Sequence, residues 1–217
     1  LDNPAGFALF YLLTTSFPFA AHQKRGAEFV WDCWERGKGP ILEFSRGFGK
    51  SIFARCLMAY QIGLYPERSN MVIRQSSVPA QKSAERIAGI ITDSPSWQMF
   101  FPYIESKQNE WSGQVGYSIV DKRVNPAEWA TIEAARTSPS LTKFGFGQSA
   151  AIGSRVTGLM LSDDIHDATN SNSPPLLASL IEHYQDQLQP TLQPGAREII
   201  IGTTWGFDDL LQVLPAT

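Results

Sequence analysis

Residues 41–51 read Ile-Leu-Glu-Phe-Ser-Arg-Gly-Phe-Gly-Lys-Ser, and the fold turns on this stretch. Ile41 to Phe44 forms a short apolar strand, and Ile52 to Tyr60 (IFARCLMAY) has helical spacing of its apolar residues. The chain therefore passes from a strand, through a glycine-containing turn, into a helix N-terminus. Free backbone N–H groups and the positive end of the helix dipole make such a junction a seat for phosphate. The regular phosphate-binding loop is Gly, four residues, then Gly-Lys-[Ser/Thr]. Gly49, Lys50 and Ser51 fit it, whereas Phe44 stands where the first Gly is expected. Lys50 offers a cation to the β/γ-phosphates and Ser51 a hydroxyl to Mg²⁺. Ser45, Arg46, Gly47, Phe48, Gly49, Lys50 and Ser51 are thus the expected nucleotide-binding loop. Arg46 is its unusual member: a guanidinium inside the loop can stabilise transition-state charge on the γ-phosphate in cis. The plainer alternative is a glycine turn with an incidental lysine and a solvated arginine.

A second motif supplies the acid such a loop requires. Leu159-Met160-Leu161 is a buried-strand run ending in Ser162-Asp163-Asp164. The first carboxylate suits Mg²⁺, and the second suits orienting or deprotonating an attacking water. Adjacent carboxylates at a strand end also start loops and cap helices, but here the loop at 45–51 gives them a chemical partner. Thr203 and Thr204 follow the strongest strand, Glu198 to Gly202, where a hydroxyl can sense the γ-phosphate or merely cap a turn. Arg155, in Gly153-Ser154-Arg155, is either an arginine that reaches a neighbouring subunit's nucleotide or a surface ion-pair residue. Gln23 precedes the loop and can read adenine through its amide. Asp167, Glu182 and His166 are less well placed.

With 217 residues, 43% hydrophobic and 18% charged, the chain is expected to build one α/β domain. A formal charge of −3 gives no global attraction to nucleic acid, so any such contact must use a local basic patch. The two cysteines, Cys33 and Cys56, have no metal or pairing signature; both are expected to be buried free thiols, as suits a reducing cytoplasm. The apolar run Gly6 to Ala21 is too short to span a membrane, carries Pro18, and reads as a packed N-terminal helix. After residue 40, strand-like and helix-like segments alternate, the pattern of a mostly parallel sheet covered by helices. Asn70 to Gln75 reads as a strand and Ala80 to Ile91 as an amphipathic helix behind a Ser76-Ser77 cap. Gly116 to Val120 and Trp129 to Ala134 are candidate strands, Pro175 to Leu188 a helix, and Asp208 to Leu214 a short helix-like end.

SRGFGKS, GSRVTGLMLSDDIHD and IIIGTTWGFDDL, in this order and spacing, resemble the ATPase domain of the large terminase subunit, the motor that packages DNA into tailed-phage and herpesvirus capsids. Three features carry the resemblance: an arginine in a loop lacking its first Gly, a Gly-x-Arg ahead of an apolar strand ending Asp-Asp, and a Gly-Thr-x-Trp strand end followed by Asp-Leu. It covers most of residues 17–214. It implies an additional-strand P-loop NTPase fold, ATP and Mg²⁺, a pentameric ring on the portal protein, a small terminase subunit as partner, and double-stranded viral DNA as the moved substrate. Localisation would be the host cytoplasm, with transient docking on the procapsid. On this resemblance Arg46 and Lys50 match the loop cations, Asp163 the metal-binding acid, Asp164 the catalytic acid, Thr203 and Thr204 the coupling motif, Gln23 the adenine reader and Arg155 the arginine supplied in trans.

The expected organisation is a single ATPase domain over 1–217. It comprises a helical, adenine-side segment at 1–40, the P-loop core at 41–205, and at 206–217 the start of a linker towards a nuclease domain that lies outside the chain. Two departures stand out: many relatives have Glu where Asp164 stands, and many have Arg where Thr204 stands. The competing classes are a helicase-like or recombination ATPase, and a non-hydrolysing nucleotide-binding scaffold in which Phe44 has spoiled the loop.

Overall fold

Strands that are apolar on both sides need a cover on both sides, and three such strands set the architecture here. Residues β2 (Asn70–Arg74), β6 (Leu159–Asp163) and β7 (Arg197–Gly202) are almost wholly buried. Alternate side chains along a strand point to opposite faces. Accordingly Val72, Leu159, Leu161, Ile199 and Ile201 join one core cluster, while Met71, Ile73, Met160 and Ile200 join another.

The computed structural model describes residues 1–113, 116–136, 138–145, 154–165 and 173–203. Within them, helices α1 (Pro4–Thr15), α2 (Ala21–Glu35), α3 (Lys50–Leu64) and α4 (Ser77–Asp93) feed the first cluster, through residues such as Phe7, Trp31, Phe53 and Ile87. The opposite face is covered by α7 (Pro174–His183), which widens into a π-helical turn at Tyr184–Leu188; Leu180, Tyr184 and Leu188 pack there. Helix α5 (Pro95–Phe100), strands β3 (Ile104–Ser112) and β4 (Gly116–Asp121), helix α6 (Pro126–Ala135) and strand β5 (Leu141–Gly145) fill the middle. With β1 (Ile41–Glu43) the strands form one seven-stranded sheet in the order β1-β7-β6-β2-β5-β4-β3. Pairings from β1 to β5 are parallel, and β4 and β3 add an antiparallel edge. The protein is therefore α/β, with a mostly parallel sheet flanked by helices. No described helix is long and apolar enough to cross a membrane.

The N-terminal apolar run forms α1, which ends where Ser16 adopts a left-handed φ of 58° just ahead of Pro18; the chain then re-enters helix as α2. Asp2 ties this end down, accepting from Trp31 Nε1 at 3.0 Å, Tyr65 Oη at 2.5 Å and Arg197 Nη2 at 2.7 Å. Cys33 and Cys56 are both buried and free, and burial pushes the Cys56 thiol up to about 12.

Trp129 to Ala134 corrects the sequence reading: it is helix, not strand. Asn125 accepts from the Ala127 N–H at 2.9 Å and Pro126 occupies the first helical position, a start signal that outweighs the short alternation of apolar and polar residues. Strands β3 and β5 are not among the strands read from the sequence.

Helix α3 carries Gly63 against the Phe101 ring, and a Cβ built there would overlap that ring. Replacing a helical Gly with Ala ordinarily stabilises by up to about 1 kcal/mol. Overpacking a filled core costs about 1–3 kcal/mol. Gly63→Ala should therefore lower the urea midpoint, with a net loss of up to about 2 kcal/mol. A midpoint at or above wild type would show that Phe101 yields freely.

Candidate active site

Strand register brings four chain segments to one edge of the sheet. Glu43 pairs with Gly202, Asp163 with Ile201, and Ile73 with Ser162, so β1, β7, β6 and β2 all end together. The period of two then sorts their side chains. Arg74 falls on the side of Val72, Asp163 on the side of Leu161, and Thr203 on the side of Ile201, all facing α3.

The loop between β1 and α3 is built by glycine. Gly47 and Gly49 have φ of 83° and 78°, a region that L side chains rarely occupy, and α3 begins directly at Lys50. Ser45, Arg46 and Gly47 are exposed on this loop, and Phe48 is 53% exposed. Phe44, the residue that replaces the regular first Gly, does not point into the loop. Its ring is 8% exposed and packs 5.6 Å from Phe53, over the Gly26 position of α2. Its N–H donates to Gly202 O at 3.0 Å. The variant position is thus absorbed by the core, while the Gly47–Gly49 backbone keeps its conformation.

Lys50, 9% exposed, donates to Asp164 Oδ1 and, at 2.9 Å, to Thr203 Oγ1; Thr203 in turn donates to Phe44 O at 3.2 Å. One ammonium therefore links the loop, the acid strand and the end of β7. Asp164 reaches it by leaving β6 in the left-handed region, φ 51°, a conformation that Asp tolerates better than most residues. Its own N–H is held by Ile201 O at 2.9 Å.

Asp163 has no exposed surface. Arg74 Nη1 donates to its Oδ2, and Arg74 Nη2 lies 3.9 Å from Asp164 Oδ2. Asp163 Oδ1 has no hydrogen-bond partner among the described residues. Burial pushes the Asp163 carboxyl up to about 6; Arg74 and Lys50 work against that rise, and the neighbouring Asp164 adds to it. An orphaned buried carboxylate oxygen, with the half-buried Ser51 on the first turn of α3, fits a hard cation that takes oxygen ligands. Among the described residues no three or more His, Cys, Asp or Glu side chains are grouped to hold a metal. Mg²⁺ here would use Ser51 and Asp163 and draw its other ligands from phosphate and water, as it commonly does.

Gln23 is buried beside the loop, with its Nε2 3.0 Å from where a Cβ on Gly49 would sit. Its amide is already engaged, accepting from Ala20 N–H at 3.0 Å and donating to Tyr11 Oη at 3.0 Å. Arg155 is not gathered into the site. It precedes β6, at the opposite edge of the sheet, and lines a cavity of about 430 Å³ with Arg68, Arg136 and Gln193. Thr204, Gly153, His166, Asp167 and the segment after Thr203 lie outside the described residues. Arg74 was missed in the sequence, where its only signal is a cation closing an apolar strand.

A carboxyl raised in the folded state holds its proton to higher pH than in the unfolded chain. The folded protein then binds more protons between about pH 4 and 6, and its stability falls as pH rises through that window. Measured by denaturant titration without metal, the stability of wild type minus that of Asp163→Asn should decline from about pH 4 to 6.5 and level off above. A difference that is flat or rises there would mean that the Arg74 pairing outweighs burial.

No family model matches the chain, and no curated protein is significantly similar to it.

Proposed function

We propose that this chain is the ATP-hydrolysing motor domain of a viral DNA-packaging terminase, an additional-strand P-loop ATPase that acts with Mg²⁺. The observation that carries the ATPase reading is Lys50, held between Asp164 and Thr203 at a glycine loop on a helix N-terminus, beside the fully buried Asp163. In the sheet order β7 stands between the loop strand β1 and the acid strand β6, which supports the additional-strand type. Phe44 packed into the core supports a working loop over a spoiled one. The step from ATPase to terminase rests on the three sequence motifs.

In this reading the residues divide the work by charge. A phosphate on the loop competes with Asp164 for the Lys50 ammonium, and a carboxylate so released can orient water or accept its proton. Arg46 stands on the exposed part of the loop, where a second cation can face the terminal phosphate. Mg²⁺, when bound, supplies charge neutralisation across the β- and γ-phosphates. Thr203 touches Lys50 directly, so the state of the phosphate site reaches the end of β7 through one hydrogen bond. Arg155 is exposed at the far edge of the sheet, and in this reading it serves a neighbouring subunit of the ring rather than its own site. Portal protein, the small terminase subunit and double-stranded DNA are the partners this reading entails.

Lys50→Ala removes the loop cation and should abolish ATP turnover and weaken nucleotide binding. Asp164→Asn should retain binding while turnover falls by roughly a hundredfold or more, the scale expected for a lost general base. Turnover near wild type in either folded variant would overturn the assignment.

A further inference from the structure

Helices α3 and α4 enclose a cleft of about 220 Å³ that opens beside Ser51 and is lined by Arg55, Arg74, Val78, Lys82 and Arg86. Its lining has four cations and no carboxylate. Arg74 is held by Asp163, but Arg55, Lys82 and Arg86 make no ion pair among the described residues. Asp163 also acts on Arg55 from a distance, but Lys82 and Arg86 have no ion-pair partner among the described residues, and like charges gathered this way raise the local positive potential open to an anion. Burial lowers the Arg55 guanidinium below its ordinary value; the neighbouring Arg86 and Arg74 add to that, and Asp163 works against it. In a chain of net charge −3 this is a local concentration that composition does not forecast.

We propose that this cleft seats the phosphate backbone of a nucleic acid. The proposal deepens the DNA-translocation reading above and rests on it for the choice of polyanion. A nucleotide on the loop is already served by Lys50 and Arg46, whereas this cleft starts where the loop ends. Arg55 lies one turn beyond Ser51 on α3. Lys82 and Arg86 lie one turn apart on α4, about 6 Å along its axis, and both are exposed. A row of cations at that spacing suits a linear polyanion better than one compact phosphate group. Val78, 60% exposed, stands at the lip and offers apolar surface to a sugar. Arg74 belongs to both sites: it pairs with Asp163 and lines the cleft, so an anion in the cleft changes the charge felt by the acid pair.

The test is binding of a labelled DNA duplex of about 30 base pairs to the purified chain, titrated between roughly 50 and 200 mM salt. Lys82→Ala/Arg86→Ala changes two exposed side chains, and circular dichroism checks its fold. Two lost phosphate contacts should flatten the slope of log K against log salt by about 1.8 and weaken binding at ~100 mM salt by tenfold or more. The matched control Lys24→Ala/Lys122→Ala removes two exposed lysines elsewhere and should stay within about twofold of wild type. Unchanged slope and affinity in the cleft variant, an equal loss in the control, or no DNA binding by wild type at ~50 mM salt would each overturn the proposal. So would a parallel loss of Mg-ATP affinity, which would assign the cleft to the nucleotide. ATP turnover, measured separately, decides the ATPase reading whether or not DNA binds the cleft.

Discussion

A carboxylate with no access to water must be neutralised or matched by a cation, and the Asp163–Arg74 pair meets that demand at the centre of this structure. Neither residue has the other as a near neighbour in sequence. They meet because β2 and β6 are adjacent and in the register that sets Ile73 against Ser162. Shifting either strand by one residue would turn one of the two charges to the opposite face, where Tyr184 and Leu188 form an apolar wall. The ion pair and the strand register therefore specify each other. The pairing of β7 with β6 and β1 sets Thr203 beside Lys50, within hydrogen-bond reach.

This arrangement gathers two cations and two anions at one edge of the sheet, above the apolar strands β2, β6 and β7. Lys50, Arg74, Asp163 and Asp164 form a balanced set of two cations and two anions, linked by direct contacts. Balanced sets of this kind are stable alone yet respond strongly to an added charge, because each pairing has an alternative partner nearby. In the proposed reading a phosphate would bring negative charge and Mg²⁺ positive charge, and the set could exchange partners without leaving an unpaired ion. Residues outside the set, Arg55 and Arg86 above all, extend the positive side away from the loop.

What the sequence disclosed, and what it hid, follows the range of the interactions. The strand, glycine turn and helix at 41–64, the acid strand ending at Asp163, and the strand ending at Gly202 are local patterns, and all appear as read. Trp129 to Ala134 was misread because the alternation over Ala130 to Ala134 imitates a strand, while the decisive signal, Asn125-Pro126, lay just upstream. Arg74 was invisible as a functional residue because its importance comes from which strand lies beside it, a fact of sheet order. Phe44 looked like a defect in the loop motif; only the packing of α2 against α3 shows its ring to be a core residue. Gln23, read as an adenine contact, lies beside the loop with its amide committed to Ala20 and Tyr11, neighbours that residue type alone does not reveal.

The most direct measurement is a crystal structure of the chain with Mg²⁺ and a non-hydrolysable ATP analogue. The account predicts phosphates on the Gly47–Gly49 backbone, Lys50 moved from Asp164 to the phosphates, and Mg²⁺ near Ser51 and Asp163. An analogue bound elsewhere, or a Lys50–Asp164 contact left intact with the analogue in place, would contradict it.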